Sequence, residues 1–186
     1  MALHWPSPQV ISQNGSESIG YLDALTLPVE VVPLDPSQPV ELSVKMDLGV
    51  CHDICMPAAL ALDATLDGPG APDGDIRAAL EARPETGKAA GVGAVACEVE
   101  PIADGMRVTA HVQIPPQGEG ETVVVEASEP GLWVSSPTAE RQGKVLIAST
   151  DLVPPSGQPF ALDRSGLVLT VLGQSRAVEL KGCPAP

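Results

Sequence analysis

Seven consecutive residues, Cys51-His52-Asp53-Ile54-Cys55-Met56-Pro57, concentrate the reactive groups of the chain. Two cysteines with three residues between them can close into a disulfide if the segment turns, because bridged Cα atoms usually lie about 4.4–6.8 Å apart. Three chemistries fit this spacing. The pair is a dithiol that exchanges disulfides, or half of a metal site, or a small structural bridge or two unpaired thiols. In the metal reading Cys51, His52 and Cys55 are ligands and Met56 adds a soft sulfur suited to Cu(I). Loop entropy separates the readings in part. Closing so short a loop stabilises by about 2 kcal/mol, whereas a bridge between the other two cysteines, Cys97 and Cys183, would contribute about 4.6 kcal/mol. The near pair is a poor staple and the distant pair a good one. Cys97 and Cys183 are therefore the candidate structural disulfide, the alternative being a buried Cys97 and a free thiol in the tail. A zinc site needs four ligands, or three and a water. His4 and His111 are remote in sequence, and no second C-x-x-C or H-x₃-H group exists. No metal is assigned.

In disulfide exchange the thiolate is the nucleophile. A protonated His52 would lower a neighbouring thiol pKa and Asp53 would raise it; each reads equally well as a solvent-facing turn residue. Pro57 lacks an N–H and holds the chain extended after Cys55, which keeps that cysteine at an exposed rim. In thioredoxin, by contrast, C-x-x-C opens a helix.

The elements that position these groups are strands. Val40, Leu42, Val44, Met46 and Leu48 alternate with polar residues and face one way, and this run leads directly into Cys51. Ala58 to Leu66 alternates again. Ala24 to Val32 is β-rich, with Pro28 marking an edge or bulge. Asn14-Gly15 is a hairpin signal. Residues 67–72 read as a linker. Asp73 to Arg83 is the one convincing helix, capped by Asp73 and stopped by Pro84, and 87–93 is a flexible Gly/Ala-rich connector. Strands resume at 95–100, 106–114, 121–127, 132–135, 144–149, 167–172 and 176–180. Asp104-Gly105 and Gly173-Gln174-Ser175 are tight turns. Strands at this spacing predict β-sandwich architecture. A bridge from Cys97 to Cys183 would tie the first strand of the second unit to its end.

Composition narrows the function classes. The 186 residues carry 10 Lys+Arg against 24 Asp+Glu, a net charge of −14, and only four aromatics, Trp5, Tyr21, Trp133 and Phe160. An acidic surface repels phosphate backbones and anionic lipid, and four aromatics do not make a base-stacking platform. Neither nucleic acid nor direct membrane insertion is expected, since no apolar run reaches the roughly 18–20 residues of a span. Trp5 and Trp133 read as packing residues. There is no G-x-S-x-G elbow and no phosphate-cradling glycine loop. Met1 to Pro6 lacks the features of a signal peptide.

Val50-Cys51-His52-Asp53-Ile54-Cys55-Met56-Pro57, preceded by Leu25-Thr26-Leu27-Pro28-Val29, resembles the N-terminal periplasmic domain of the DsbD/ScsB family of thiol:disulfide interchange proteins. In that family a leucine-threonine-leucine-proline-valine strand precedes the dithiol segment, and the second cysteine is followed by one residue and a proline. The likeness covers about Trp5 to Leu66. The second half resembles, more loosely, the second β domain of ScsB-like proteins. The resemblance implies an all-β fold of two immunoglobulin-like sandwich units, 1–68 and 92–186, joined by the helix and linker of 69–91. The first unit would be an N-terminally shortened form. It implies periplasmic thiol–disulfide interchange, with electrons taken from a membrane electron-donor domain or a thioredoxin-like protein and passed to periplasmic partners. Cys55 would form the mixed disulfide and Cys51 resolve it, without a cofactor. The family's cap loop would fall at Gln13 to Ser16, with Asn14 and Gly15 at its turn. The alternative function is a non-catalytic β-sandwich interaction protein with structural disulfides, or a copper-binding accessory domain.

Overall fold

The computed structural model describes residues 1–13, 15–52, 54–174 and 176–186. Along the chain, β1 (Ala2–Leu3), β2 (Gln9–Gln13), β3 (Ser16–Gly20) and β4 (Val29–Glu30) are followed by two long strands, β5 (Val40–Cys51) and β6 (Cys55–Leu66). Then come α1 (Gly74–Glu81), β7 (Glu85–Thr86), β8 (Val95–Pro101), β9 (Met106–Gln113), β10 (Thr122–Glu126), β11 (Trp133–Val134), β12 (Thr138–Gln142) and β13 (Val145–Val153). A 3-10 turn (Arg164–Gly166), β14 (Val168–Leu172) and β15 (Ala177–Lys181) complete the chain.

The buried core lies between two sheets in the second half. One sheet runs β10-β14-β15-β7. In the other, β11 and β12 flank β13, which pairs with β9 and then β8. Alternation along the strands turns Val108, Ala110 and Val112 of β9 and Leu146, Ala148 and Leu152 of β13 inward. They meet Val123 and Val125 of β10, Leu169 and Val171 of β14 and Val178 of β15 in one buried cluster. The β8–β9 hairpin turns where the chain passes close to β13. A Cβ on Gly105 would stand 2.1 Å from the Leu152 carbonyl oxygen, so only glycine fits.

Residues 1–66 are organised differently. Their strands form three separate two-stranded sheets, β1-β4, β2-β3 and β5-β6. Apart from Pro6 and Pro28, no described residue there is buried. The β5–β6 hairpin pairs without a break from Val40↔Leu66 to Cys51↔Cys55. On one face Val40, Leu42, Val44, Met46, Leu48 and Val50 stand opposite Leu66, Ala64, Leu62, Leu60, Ala58 and Met56. The other face carries Glu41, Lys45, Asp47 and Asp63, and at its end the two cysteines. The N-terminal ribbons meet the rest of the chain through the Ser7 N–H donating to the Ala82 carbonyl at 2.8 Å. Arg83 also donates to His4 Nδ1 at 3.1 Å, and His4 Nε2 contacts Glu30 at 2.9 Å.

Several expectations need correction. Of Ala24 to Val32 only Val29–Glu30 is a strand, pairing with Leu3 and Ala2, because Pro28 offers a carbonyl but no donor. Residues 87–93 are not a loose connector. β7 joins β15 in parallel, turns with Ala90 N–H donating to the Thr86 carbonyl and Val92 N–H to the Gly87 carbonyl follow, and Ala90 is buried in the core. Trp133 does not pack; it is 61% exposed on the short β11. Trp5 is half exposed but stacks on Tyr21, with ring centroids 6.4 Å apart. The helix forms as expected, Asp73 accepting from the Asp75 and Ile76 N–H groups at 2.9 and 3.0 Å. Among the described residues no helix is long and apolar enough to cross a membrane.

Candidate dithiol site

Antiparallel pairing of β5 with β6 brings the two near cysteines face to face, because the strands enter and leave a three-residue loop in register. Cys51 and Cys55 are joined as a disulfide, with Cα atoms 4.0 Å apart. The loop is closed by the His52 N–H donating to the Ile54 carbonyl at 3.2 Å. Both cysteines are exposed. Val50, Ile54 and Met56 around them are 60%, 72% and 60% exposed. With Cys51 and His52 these three line a shallow recess of about 320 Å³ beside the disulfide. A partner sulfur can therefore approach without any movement of the fold, against an apolar rim.

Pro57 sits in β6 opposite Gly49, two residues beyond Cys55. Its missing N–H is tolerated because, among the described residues, β6 pairs with β5 alone. His52 stands in the loop between the cysteines and is exposed. Asp53 and Asn14 lie outside the described residues. Gly15, at φ +79° in the β2–β3 turn, has no heavy atom within 4 Å of a Cβ position, and among the described residues the recess is lined from the β5–β6 hairpin. The structure thus brings Cys51, His52 and Cys55 together, places Pro57 nearby, and does not bring Gly15 to them. Among the described residues no cluster of three or more His, Cys, Asp or Glu side chains is placed to hold a metal.

The distant cysteines differ in every respect. Cys97 on β8 and Cys183 beyond β15 are joined, 0% and 1% exposed, and link the edge of one sheet to the end of the other. The Cys97 N–H donates to the Pro184 carbonyl at 2.7 Å and the Cys183 N–H to the Arg164 carbonyl at 2.9 Å, while the Arg164 guanidinium donates to the Cys97 carbonyl. Asp163 caps that turn; the Ser165 hydroxyl and N–H both donate to it and hold its carboxyl below the usual range. One bridge is open to a thiolate and the other is sealed in packed, hydrogen-bonded surroundings.

The sequence reading missed the apolar rim. Val50 and Met56 are the last pair of the alternating face that ends at the cysteines, and extending the period from Leu48 by one step would have found Val50.

Residues 1–66 match the sequence model of the family described as thiol:disulfide interchange protein DsbD, N-terminal. The crystal structure of the N-terminal periplasmic domain of ScsB from Proteus mirabilis is similar in fold, with a TM-score of 0.67 and 20% identity. The match covers 98% of this chain and 72% of that one. No match is found among curated proteins. By these comparisons residues 1–66 are similar to the DsbD N-terminal family, on a chain whose all-β fold is of the immunoglobulin-like sandwich kind.

Proposed function

We propose that the chain is a periplasmic thiol–disulfide exchange module working through Cys51 and Cys55. The observation that carries this reading is the contrast between the two bridges: the near pair is exposed at the end of a ribbon, and the distant pair is buried. In the reduced protein the Cys55 thiolate attacks a sulfur of a partner disulfide. The partner's other sulfur leaves as a thiolate and takes up a proton. Deprotonated Cys51 then attacks Cys55 Sγ, the mixed disulfide breaks, and the partner departs as a dithiol while Cys51–Cys55 closes. Two electrons have moved to the partner, and a thioredoxin-like protein or a membrane electron-donor domain restores the dithiol. Cys55 is assigned as attacker and Cys51 as resolver from their positions in the family motif. His52 and Asp53, which lie between the two cysteines in sequence, are the residues that would modulate the thiols; Pro57 keeps β6 extended. Residues 1–68 form the exchange unit, 69–84 the connection, and the β domain that begins at β7 and runs to 186 the stable body that carries it, with Cys97–Cys183 as its staple. The family match over 1–66 supports the chemistry, and the likeness to a periplasmic domain supports the compartment.

The test is trapping. Reduced Cys51→Ser protein, mixed with an oxidised thioredoxin-like protein, is expected to accumulate a mixed disulfide through Cys55, seen on a non-reducing gel and mapped by peptide mass spectrometry. Cys55→Ser should trap little. Trapping only through Cys51 would reverse the assigned roles, and trapping through neither would remove the exchange function.

A further inference from the structure

His4 holds both ring nitrogens in contacts that fix its protonation state. Its Nδ1 lies 3.1 Å from an Arg83 guanidinium nitrogen, and its Nε2 lies 2.9 Å from a Glu30 carboxylate oxygen. A guanidinium only donates and an ionised carboxylate only accepts. Nδ1 therefore carries the lone pair and Nε2 the proton, and only the neutral ring in that tautomer makes both bonds. The two partners belong to different parts of the chain. Glu30 is on β4, which pairs with β1 just before His4, and the His4 N–H donates to the Pro28 carbonyl at 2.9 Å. Arg83 follows α1. Its Nε donates to the Leu80 carbonyl at 3.0 Å, which pins the side chain at the helix end where a cation is favoured. The ring thus spans from the β1–β4 sheet to the end of the helix. We propose that His4 is a proton-operated latch, holding this sheet to α1 when neutral and releasing Arg83 when protonated.

Protonation puts an N–H on Nδ1, so two donors of like charge then face each other. The bond to Arg83 is lost, while the Nε2–H contact with Glu30 becomes an ion pair and is kept. Arg83 opposes the added proton and Glu30 favours it. The proton therefore changes which partner the ring holds and costs the whole fold little. Among the described residues these two are the ionisable groups in contact with the ring. Tyr21, whose hydroxyl donates to the Pro6 carbonyl at 2.9 Å, faces the residues that follow; its pKa is raised above 10.0, so it stays protonated. The His4 side chain is 24% exposed, so water can deliver the proton. Once Arg83 is released, the Ser7 N–H to Ala82 carbonyl bond is left as the hydrogen bond between the N-terminal ribbons and the helix end among the described residues. Carrying the attachment alone, it opens more often. The latch concerns how the N-terminal sheet is held and is independent of the exchange reading.

The experiment is nuclear magnetic resonance on the 186-residue chain at about pH 8 and about pH 5, the range over which histidine side chains change charge. At the higher pH the His4 ring nitrogens should report the Nε2–H tautomer. The Ser7 amide is followed by its protection factor, which divides out the intrinsic pH dependence of hydrogen exchange. That factor should fall about fivefold or more at the lower pH, the share of one hydrogen bond to a charged group. The Cys97 amide, which donates to the Pro184 carbonyl inside the body, should keep its protection at both. His4→Gln offers an amide oxygen to Arg83 and an amide N–H to Glu30 whatever the pH, so its Ser7 protection should match the parent's high-pH value throughout. Arg83→Ala should show the low value throughout. An Nδ1–H ring at the higher pH would overturn the inference. So would equal Ser7 protection at the two pH values in the parent, or an Arg83→Ala protein that keeps the parent's pH response.

Discussion

Replacing Cys97 and Cys183 by alanine should cost far more stability than replacing Cys51 and Cys55. The distant bridge closes a sequence separation of 86, for which the loop-entropy relation gives about 4.6 kcal/mol. Both sulfurs are buried among core side chains, so their removal also leaves a small void that adds to the loss. The near bridge closes a separation of 4, worth about 2 kcal/mol in the same relation. That smaller term acts on a ribbon outside the buried cluster, so little of it should reach the unfolding of the body. Urea unfolding followed by circular dichroism distinguishes the two. With a slope of about 2 kcal/mol per molar for a domain of this size, the distant double variant should lose about 2 M in midpoint. The near double variant should shift by under about 0.5 M. Equal shifts for the two variants, or no shift for the distant one, would refute the division into a sealed staple and an open functional pair.

Further outcomes follow from the body of the fold. Arg141 donates to both carboxylate oxygens of Glu121, whose side chain is 8% exposed, and to the Ile114 carbonyl; Arg141→Ala should cost about 2–4 kcal/mol in chemical denaturation, much of it for the carboxylate left unpaired. Burial pushes the Glu121 carboxyl up, but the Arg141 guanidinium and the Gln117 N–H outweigh it and hold the group below its ordinary 4.5. Its contribution is therefore present above pH 4.5 and lost as pH falls through the lower folded value, so acid unfolding should begin below pH 4.5 and be blunted in Glu121→Gln. Tyr21 is the one tyrosine; burial, and then the nearby Glu126, raise its pKa. Its absorbance titration should fall above pH 10.0 in the folded protein and move down to 10.0 in denaturant, and its contribution to stability should fade as pH rises through the folded value. Gly105→Ala should cost about 2 kcal/mol or more in thermal unfolding, since the new Cβ meets a backbone oxygen that cannot give way.

Much of this architecture was readable from local chemistry. Strict alternation from Val40 to Leu48 marked β5 and its apolar face, Asp73 marked the start of the helix, and glycine turns marked the hairpins at residues 15 and 105. What escaped depends on partners far away in sequence. β12 is polar, its inner positions only half-buried Ala139 and Arg141, and Gly143-Lys144 was its one local signal. β7 has two residues, and its partner β15 lies more than ninety residues on, so no window around Glu85 contains the evidence for it. Ala24 to Val32 has strand propensity without a neighbouring edge to pair with beyond Val29–Glu30. At the site, spacing alone allowed Cys51 and Cys55 to meet, but their exposure and the rim of Val50, Ile54 and Met56 follow from the hairpin register. Periodicity told which face of the ribbon is apolar and was silent on what covers it.

The most direct test of the exchange account is the reduction potential of each bridge in the same molecule. The protein would be equilibrated in glutathione or dithiothreitol buffers and alkylated, and each cysteine read by peptide mass spectrometry. The account predicts that Cys51–Cys55 titrates between about −180 and −280 mV while Cys97–Cys183 stays oxidised beyond about −300 mV. A Cys51–Cys55 pair that resists reduction as the buried bridge does, or that fails to form in oxidising buffer, would contradict it.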